Sequence, residues 1–503
     1  MSEPTSYREI EFKFRIPAQT DLDLRALLAS VGVDIVDHDP RSMVAIYYDT
    51  ANLSLLRWGI TLRNRHGGGD DGWHMKVPAE PSGNDSARDE IRIQGSDSVI
   101  PVELASLVTP LTRRQELQPM ATVRTRRQPF VIRAANGTEL IEVVDDFVDV
   151  GSSSLAEPTS SFHEVEVELL IDSADSRQTA ALISDALVDA GAQVSSLSKA
   201  ASALGPAAAD PPDVPALKFP KPSAPAVDAL QAVFSTYVRD LLMADVGVRR
   251  MLPDSVHQMR VACRRLRSAL KTFDSLLDHD SVDYLRGELK WMASELGEVR
   301  DTEVQLTRLG SLATDERVKN FIEESLEARL RAATSSALAA LRSDRHDFLI
   351  EDLILLVSEP PVTVAAFDSA AERLPACVAT PWHRLDKAVG KATLDGPAER
   401  WHRVRIRAKQ ARYAAEAVAP ILGGEFARLG KDLATVTDTL GNRQDAHVAS
   451  IVLRELADQA PGPIAYELGL IAAHNAVAGN QDIRTFLRRW PDIVRRAKEA
   501  GLD

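Results

Sequence analysis

Charged and apolar residues alternate strictly along the first part of the chain, and the alternation predicts strands. In Glu9-Ile10-Glu11-Phe12-Lys13-Phe14 the charged side chains fall on one face of an extended strand and the apolar ones on the other. The pattern recurs. Met43 to Asp49 reads as a strand, and Ile60 to Arg65 is another, with Arg63 and Arg65 on one face. Trp73 to Val77 puts His74 beside Lys76, and the next strand aligns Arg88, Glu90 and Arg92. Thr122 to Gln128 aligns Arg124 with Arg126, Leu140 to Val148 aligns Glu142 with Asp146, and Phe162 to Ile171 aligns Glu164, Glu166 and Glu168. Asp21 to Val31 reads as an amphipathic helix with an Asp-rich first turn. The glycine-rich run Gly67 to Gly72 lies between two strands and no helix start follows it, so it predicts a hairpin turn and not a phosphate-cradling loop.

One such strand would ordinarily have a solvated charged face. Here the opposite faces (Ile10, Phe12, Phe14; Val165, Val167, Leu169) are apolar and need covering, and both signs of charge recur at two-residue spacing. That predicts a closed antiparallel barrel with its charges inside. Charges so buried must be paired, solvated or waiting for a ligand. A lumen of both signs suits a condensed phosphate held by Arg and Lys, with carboxylates holding divalent metal.

Beyond about Leu204 the pattern changes. Seven prolines fall between Gly205 and Pro225, which marks a semi-extended Pro/Ala-rich linker, 206–225, between a first domain, 1–205, and a second, 226–503. The second domain is helical and repeats itself, with halves of about 226–375 and 376–503. His257, Arg260, Arg264 and Arg267 stand at offsets 0, 3, 7 and 10, and His402, Arg405, Lys409 and Arg412 stand at the same offsets. Each set is followed by a related segment, Leu296-Gly297-Glu298-Val299-Arg300-Asp301 and Leu440-Gly441-Asn442-Arg443-Gln444-Asp445, whose glycines are expected to end one helix and start the next. The offsets trace a narrow stripe of one sign on a helix, opposite Met259, Leu266, Leu270 and Phe273. Like charges so placed repel, and a polyanion bridging them gives the stripe a purpose. One histidine per stripe, with no nearby cysteine or acid, is too few ligands for a metal site.

Composition narrows the picture. The chain has 503 residues, 45% hydrophobic and 26% charged, with a formal net charge of −14, which argues against a general nucleic-acid binder. No apolar run is long enough to span a bilayer, and no secretory signal opens the chain. The two cysteines, Cys263 and Cys377, lie far apart in helix-like surroundings, which argues against a disulfide framework, favours the cytoplasm and leaves no cysteine metal site.

Two resemblances follow from these motifs. The ordered set Glu9-x-Glu11-x-Lys13, Leu62-Arg63-x-Arg65, Lys76, Glu90, Arg124/Arg126, Asp145/Asp146, Glu166-x-Glu168 and Ser198-Lys199 resembles the CYTH, or triphosphate tunnel metalloenzyme, superfamily. The resemblance implies an eight-stranded antiparallel β-tunnel with flanking helices, whose members mostly hydrolyse triphosphates with Mg²⁺ or Mn²⁺, a minority making cyclic AMP. It implies Glu9, Glu11, Lys13, Lys76 and Glu90 as catalytic residues. Glu9, Glu11, Glu166 and Glu168, with Asp145 or Asp146, would bind metal, Asp146 sharing its parity with Glu142. Lys13, Arg63, Arg65, Lys76, Arg124, Arg126 and Lys199 would hold phosphate, Arg127 being the alternative inward residue of its run.

From about Val227 to Arg496 the duplicated motif resembles the CHAD domain, a conserved-histidine alpha-helical domain associated with inorganic polyphosphate. It implies polyphosphate-binding roles for His257, Arg260, Arg264, Arg267, Lys271, His402, Arg405, Lys409 and Arg412. The expectation is a multidomain α+β protein, a CYTH tunnel followed by an all-α duplicated helical bundle. The tunnel would hydrolyse tripolyphosphate, and the bundle would bind long-chain polyphosphate, recruiting the protein to granules or raising local substrate. No specific nucleic acid and no membrane is expected as partner. The rivals are a nucleoside triphosphatase or class IV-type adenylyl cyclase, for which Trp58 or Trp73 would have to form a purine shelf, and a non-catalytic polyphosphate-binding scaffold.

Overall fold

The computed structural model describes residues 5–79, 87–95, 98–152, 159–394, 396–477 and 480–502, without the side chains of 152, 398, 441–447, 474–477 and 480–482. The chain divides into two compact units, Met1–Asp213 and Val214–Asp503, and the division falls inside the Pro/Ala-rich segment.

The first unit is one curled antiparallel sheet. Its strands are β1 (Thr5–Glu9), β2 (Glu11–Ile16), β3 (Asp34–Asp37), β4 (Arg41–Asp49), β5 (Thr61–His66), β6 (Gly72–Pro78), β7 (Arg88–Gln94), β8 (Gln118–Arg133), β9 (Glu139–Ser152), β10 (Ser160–Leu169) and β11 (Gln193–Ser195). The order is β1-β7-β6-β5-β4-β8-β9-β10-β2-β11, with β3 beside β8. β1 and β2 are one stretch of chain interrupted at Ile10. Its first half pairs with β7, Tyr7 opposite Glu90, and its second half pairs with β10, Lys13 opposite Glu166. The sheet therefore returns to its own beginning, and eight long strands make the circuit.

Helices α1 (Leu24–Val31) and α5 (Ala174–Asp189) cover the outer face. Phe14, Phe130, Ile141, Val143, Val165 and Val167 pack there against Leu24, Leu28, Ile183 and Leu187, each such burial stabilising by ~1.5–3 kcal/mol. Helix α1 begins later than its acidic residues predict: Asp23 is its N-cap, accepting from the Ala26 amide at 2.9 Å, so Asp21 and Asp23 precede the first turn. The run 67–72 is the expected hairpin loop. Gly67 has φ +85°, and a Cβ there would meet the Ser42 carbonyl at 2.4 Å. Short helices α2 (Ser54–Arg57), α3 (Val102–Leu107) and α4 (Thr109–Thr112) lie in the connections, and α6 (Lys199–Leu204) follows β11. Ala200, Ala203 and Leu204 of α6 pack on Ala45, Tyr47, Ala121, Val123, Val148 and Val150, so part of the interior is apolar and carries this helix.

The expected linker is anchored within each unit. Arg57 holds Asp210 at 3.0 Å in the first. In the second, Arg239 donates to the Val214 carbonyl at 2.5 Å, and the Ala226 amide to that of Asp368 at 2.8 Å.

The second unit runs α7 (Ala226–Arg249), α8 (Ser255–Thr272), α9 (His279–Glu295), α10 (Gly297–Leu312), α11 (Glu316–Leu341), α12 (Asp344–Ser358), α13 (Ala370–Val389), α14 (Ala398–Leu422), α15 (Gly424–Gln459), α16 (Gly462–Val477) and α17 (Asn480–Glu499). Equivalent helices of the two halves meet: α7 packs on α13, α8 on α14, α10 on α15 and α11 on α16. Gly297 does begin a helix directly after α9. Gly441 does not: α15 passes through it unbroken, so one long helix replaces the α9–α10 pair. A glycine carries no side chain that forbids the helical conformation, so it ends a helix only where the backbone turns left-handed. The side chains of the second junction segment lie outside the described residues from Gly441 onward.

Candidate functional site

The alternation of the strands brings the charges of the first unit into one cavity of about 410 Å³. Glu9, Glu11, Lys13, Arg63, Arg65, Lys76, Glu90, Glu166, Glu168 and Lys199 all line it. Opposite charges interlock there. Lys13 donates to Glu166 at 2.7 Å and lies 3.1 Å from Glu11. Lys76 reaches Glu9 at 2.6 Å. Lys199, the first residue of α6, is held by Glu164 and Glu166 at 2.8 Å and Asp146 at 3.0 Å. Arg65 is ion-paired with Asp70 from the hairpin loop, and Arg63 with Glu90 at 3.4 Å.

The pairing sets protonation. Against the effect of burial, Lys13 and Lys76 hold Glu11 down at about 2, and Glu11 and Glu166 hold Lys13 above its ordinary value. Burial, then Arg63 and Arg127, pushes Arg65 down to about 9, which registers crowded cations on that wall. Burial and the neighbouring carboxylates Glu9, Glu11 and Glu142 raise Glu168 to about 7.

Those oxygens are what a hard divalent cation prefers, and such a cation would relieve the repulsion around Glu168. Among the described residues, no three carboxylate, histidine or cysteine side chains converge as a preformed metal site. Instead, lysine and arginine side chains engage most of these carboxylates.

The strand β8 corrects one expectation. Arg124 and Arg126 are exposed on its outer face, Arg126 lying 5.9 Å over the Phe147 ring, while Val123, Thr125 and Arg127 line the cavity. The cross-strand partner decides this: Met43 and Ala45 of β4 face inward opposite Thr125 and Val123, and Ser42 and Val44 face outward opposite Arg126 and Arg124. Arg127 forks onto Asp146 at 2.8 and 2.6 Å and reaches Glu166 at 2.8 Å. Asp146 is fully buried behind that arginine, whereas Asp145 faces His163 on the other side of the strand. Glu142, Arg88 and Arg92 join the lining from positions whose alternation already aligned them. Arg41, Tyr7 and Tyr47 were missed: Tyr7 continues the Glu9–Glu11 parity one step back, and Arg41 and Tyr47 share the parity of Met43.

The second unit carries a different arrangement. On α8, Val256, Met259, Ala262, Cys263, Leu266, Ala269 and Leu270 are buried, and His257, Arg260, Arg264 and Arg267 are half-buried on the other side. Arg260 donates to the Gly297 carbonyl at 2.8 Å and to Asp301 at 3.0 Å, which gives the downstream motif a role. Lys271 is exposed and bonds Asp274 at 3.1 Å. On α14, Arg412 bonds Glu416 at 2.6 Å, Arg405 and Lys409 are half-buried, and His402 is exposed. The off-stripe Arg265 lies 3.6 Å from Asp240. Among the described residues, Arg264, Arg267 and Arg405 make no hydrogen bond or ion pair, and the Nε of each is buried without a partner. Burial, with Arg260 and Arg405 nearby, lowers Arg264, so the stripes of α8 and α14 face one another electrostatically.

The family model of the CYTH domain matches residues 7–200, and that of the CHAD domain matches residues 232–454. The chain joins a CYTH domain to a CHAD domain. Its curved antiparallel sheet followed by a helical region is the arrangement of that pair. Curated relatives include the uncharacterized protein Rv2226 of Mycobacterium tuberculosis (strain ATCC 25618 / H37Rv), 29% identical over 528 residues and covering 99% of both chains. The uncharacterized protein MT2285 of Mycobacterium tuberculosis (strain CDC 1551 / Oshkosh) matches to the same identity and extent, 29% over 528 residues with 99% of both chains covered. Among solved structures, the CHAD domain from the plant Ricinus communis is 27% identical, covers 57% of this chain and 95% of its own, and has a TM-score of 0.44. PptA from Streptomyces chartreusis is 24% identical over 53% of this chain and 100% of its own, with a TM-score of 0.46. A putative adenylyl cyclase, HpAC1 from Hippeastrum, said to reveal a dominant triphosphatase activity, is 16% identical over 40% of this chain and 98% of its own, with a TM-score of 0.24. CYTH domains are typically triphosphatases or cyclases and depend on Mg²⁺ or Mn²⁺, and the CYTH lumen here has the chemistry of a triphosphate tunnel. Among the described residues no helix is long and apolar enough to cross a membrane.

Proposed function

We propose that the CYTH lumen binds a short inorganic phosphate chain, tripolyphosphate first, and hydrolyses a terminal phosphoanhydride with Mg²⁺ or Mn²⁺, while the CHAD stripe binds longer polyphosphate. The observation that carries the reading is the interlocked charge of the lumen: Lys13, Lys76, Lys199, Arg63, Arg65 and Arg127 lie among Glu9, Glu11, Glu166 and Glu168. Those cations match phosphoryl oxygens, and the carboxylates, with Asp146 behind Arg127, are the set that would hold the metal. A bound divalent ion supplies charge neutralisation and a more acidic water.

The chain's own residues do the rest. Lys13, Lys76 and Lys199, now held by carboxylates, turn to phosphate oxygens when those carboxylates take up other partners. Arg63, 3.3 Å from the Tyr47 hydroxyl, and Arg127 fix the chain in line with an attacking water. The water oxygen forms the new P–O bond, the bridging P–O bond breaks, and the water's proton leaves to solvent or a lumen base. Trp58 and Trp73 are buried, which leaves neither as a purine shelf and speaks against the nucleotide reading. For the CHAD domain, Arg264, Arg267 and Arg405, without partners among the described residues, support polyanion binding, and binding at two sites of one chain raises effective concentration for a long ligand or recruits the protein to granules. Both cysteines are free and buried, which suits the cytoplasm.

The test is phosphate release from tripolyphosphate, ATP and long-chain polyphosphate with either metal, with Glu11→Ala as control. Release from tripolyphosphate that the substitution abolishes is expected. Equal turnover of ATP would move the assignment to nucleotides, and binding without any release would leave a scaffold.

A further inference from the structure

The glycine-rich run between β5 and β6 brings a carboxylate into the lumen. Arg65 is the last inward-facing residue of β5 before the loop, and its guanidinium pairs with Asp70, just ahead of β6. Contacts on each side seat the loop. Arg41 Nη1 donates to the Gly68 carbonyl at 3.4 Å, and the Gly67 amide donates to Asp71 Oδ1 at 2.7 Å. His74 Nε2 donates to the Asp70 carbonyl at 3.0 Å, since a carbonyl only accepts. The loop lies close on β4: a Cβ on Gly68 would meet the Met43 side chain at 2.8 Å, as one on Gly67 would meet Ser42. Gly68, Gly69 and Asp70 line the cavity beside Arg41, Arg63 and Arg65, whereas Asp71 is exposed and takes no part in the lining.

A carboxylate on a guanidinium presents the same kind of oxygens as a phosphate does. Asp70 therefore stands where a phosphate unit would otherwise be held. Arg65 is buried, and its Nε has no partner among the described residues, so Asp70 leaves part of the fork unused. A phosphate chain that extends from Arg63 towards the hairpin meets a fixed negative charge that is half-buried, where salt screens repulsion incompletely. We propose that Asp70 is the end stop of the lumen: by holding Arg65 it keeps a longer chain from extending beneath the hairpin, and so confines the ligand to a few phosphate units. The proposal rests on the triphosphate reading above, narrows the part of Arg65 in it, and supplies its length limit.

The test compares chain lengths. kcat/KM for phosphate release is measured with long-chain polyphosphate and with tripolyphosphate, on the full chain, for the wild type, Asp70→Asn and Asp71→Asn. Each variant removes one negative charge from the loop, and asparagine at 71 can still accept from the Gly67 amide, so only Asp70→Asn frees Arg65. The ratio of long-chain to tripolyphosphate activity is expected to rise about tenfold in Asp70→Asn, the weight of one charge-assisted hydrogen bond. It should keep the wild-type value in Asp71→Asn. Long-chain binding by the CHAD stripe is common to the three proteins and cancels. An unchanged ratio in Asp70→Asn, or an equal rise in both variants, would overturn the proposal. Absence of phosphate release from both substrates in every protein would count against the triphosphatase reading, and calorimetric titration would then decide on Asp70 alone. The affinity for linear pentapolyphosphate relative to tripolyphosphate should rise about tenfold in Asp70→Asn and not in Asp71→Asn; the same relative affinity in all three proteins would overturn the end stop.

Discussion

Lys199 in the CYTH lumen and Arg264 on the CHAD stripe are both cations withdrawn from solvent, but their company differs. Lys199 has three carboxylates within 3.0 Å, whereas Arg264 has no hydrogen bond or ion pair among the described residues and feels other arginines. In the lumen most charges already lie against opposite ones, although Nε of Arg63 and of Arg65 and one oxygen of Glu9 and of Glu164 have no hydrogen-bond partner among the described residues, so a ligand must displace internal partners, and a polyanion gains entry most readily when something else takes the carboxylates. A stripe of one sign is strained when empty and is relieved by any polyanion. One region is built for exchange and the other for capture.

Lys199→Met should break that contrast most severely, because it leaves the buried carboxylates Asp146, Glu164 and Glu166 short of a partner. We expect a loss of about 3–5 kcal/mol in the unfolding of the CYTH unit, read by denaturant titration. A loss below 1 kcal/mol would mean that Arg127 and Lys13 hold the cluster without it.

The pH dependence of that unit is the next largest effect. Glu11 and Glu166 lie below their unfolded values, so the stability they confer is present above about pH 4.5 and is lost as pH falls through their folded values. Glu168 and Glu90, raised to about 7 and about 8, act the other way. They bind protons more tightly in the folded chain, so stability falls as pH rises from about 4.5 towards 8, by something on the order of a few kcal/mol. Glu168→Gln should flatten part of the fall between about pH 4.5 and 7, and millimolar Mg²⁺ should offset it in the wild type but not in the variant.

For the stripe, the sign reverses. Arg264→Ala with Arg405→Ala should weaken long-chain polyphosphate binding at least about tenfold and reduce its salt dependence, while leaving the CHAD unit as stable as before or slightly more so. Marked destabilisation by the pair would mean that the arginines are structural. The smallest effect is expected at Arg124→Ala, within about 0.5 kcal/mol of the wild type and without effect on turnover; Arg127→Ala, three residues on, should cost several kcal/mol for the fork it removes.

Much of this was legible because a strand's two-residue period turns sequence parity directly into direction. Glu9, Glu11, Lys13, Arg63, Arg65, Lys76, Glu90, Glu166 and Glu168 all point where their spacing puts them. Parity failed in Arg124-Thr125-Arg126-Arg127, since a run with arginine in both phases carries no phase of its own and the neighbouring strand β4 sets it. Pairing was invisible for a related reason: the sequence shows that both signs line the lumen, but the trio around Lys199 is gathered from β9 and β10 onto the start of α6, segments that the strand period does not relate. On α8 the helical period placed the stripe, yet that Arg260 has a partner where Arg264 and Arg267 have none among the described residues depended on Asp301 arriving from α10. Gly441 misled because glycine marks a helix end only when the backbone turns there, and α15 does not.

The most direct test of the contrast between exchange and capture is to follow both ligands with and without EDTA, in one preparation of the full chain. Tripolyphosphate turnover in Mn²⁺ and long-chain polyphosphate binding are measured in parallel. The account predicts that EDTA abolishes turnover while polyphosphate binding persists and remains sensitive to Arg264→Ala with Arg405→Ala. Turnover that continues undiminished in EDTA, or polyphosphate binding that disappears with it, would contradict the division of labour between the two sites.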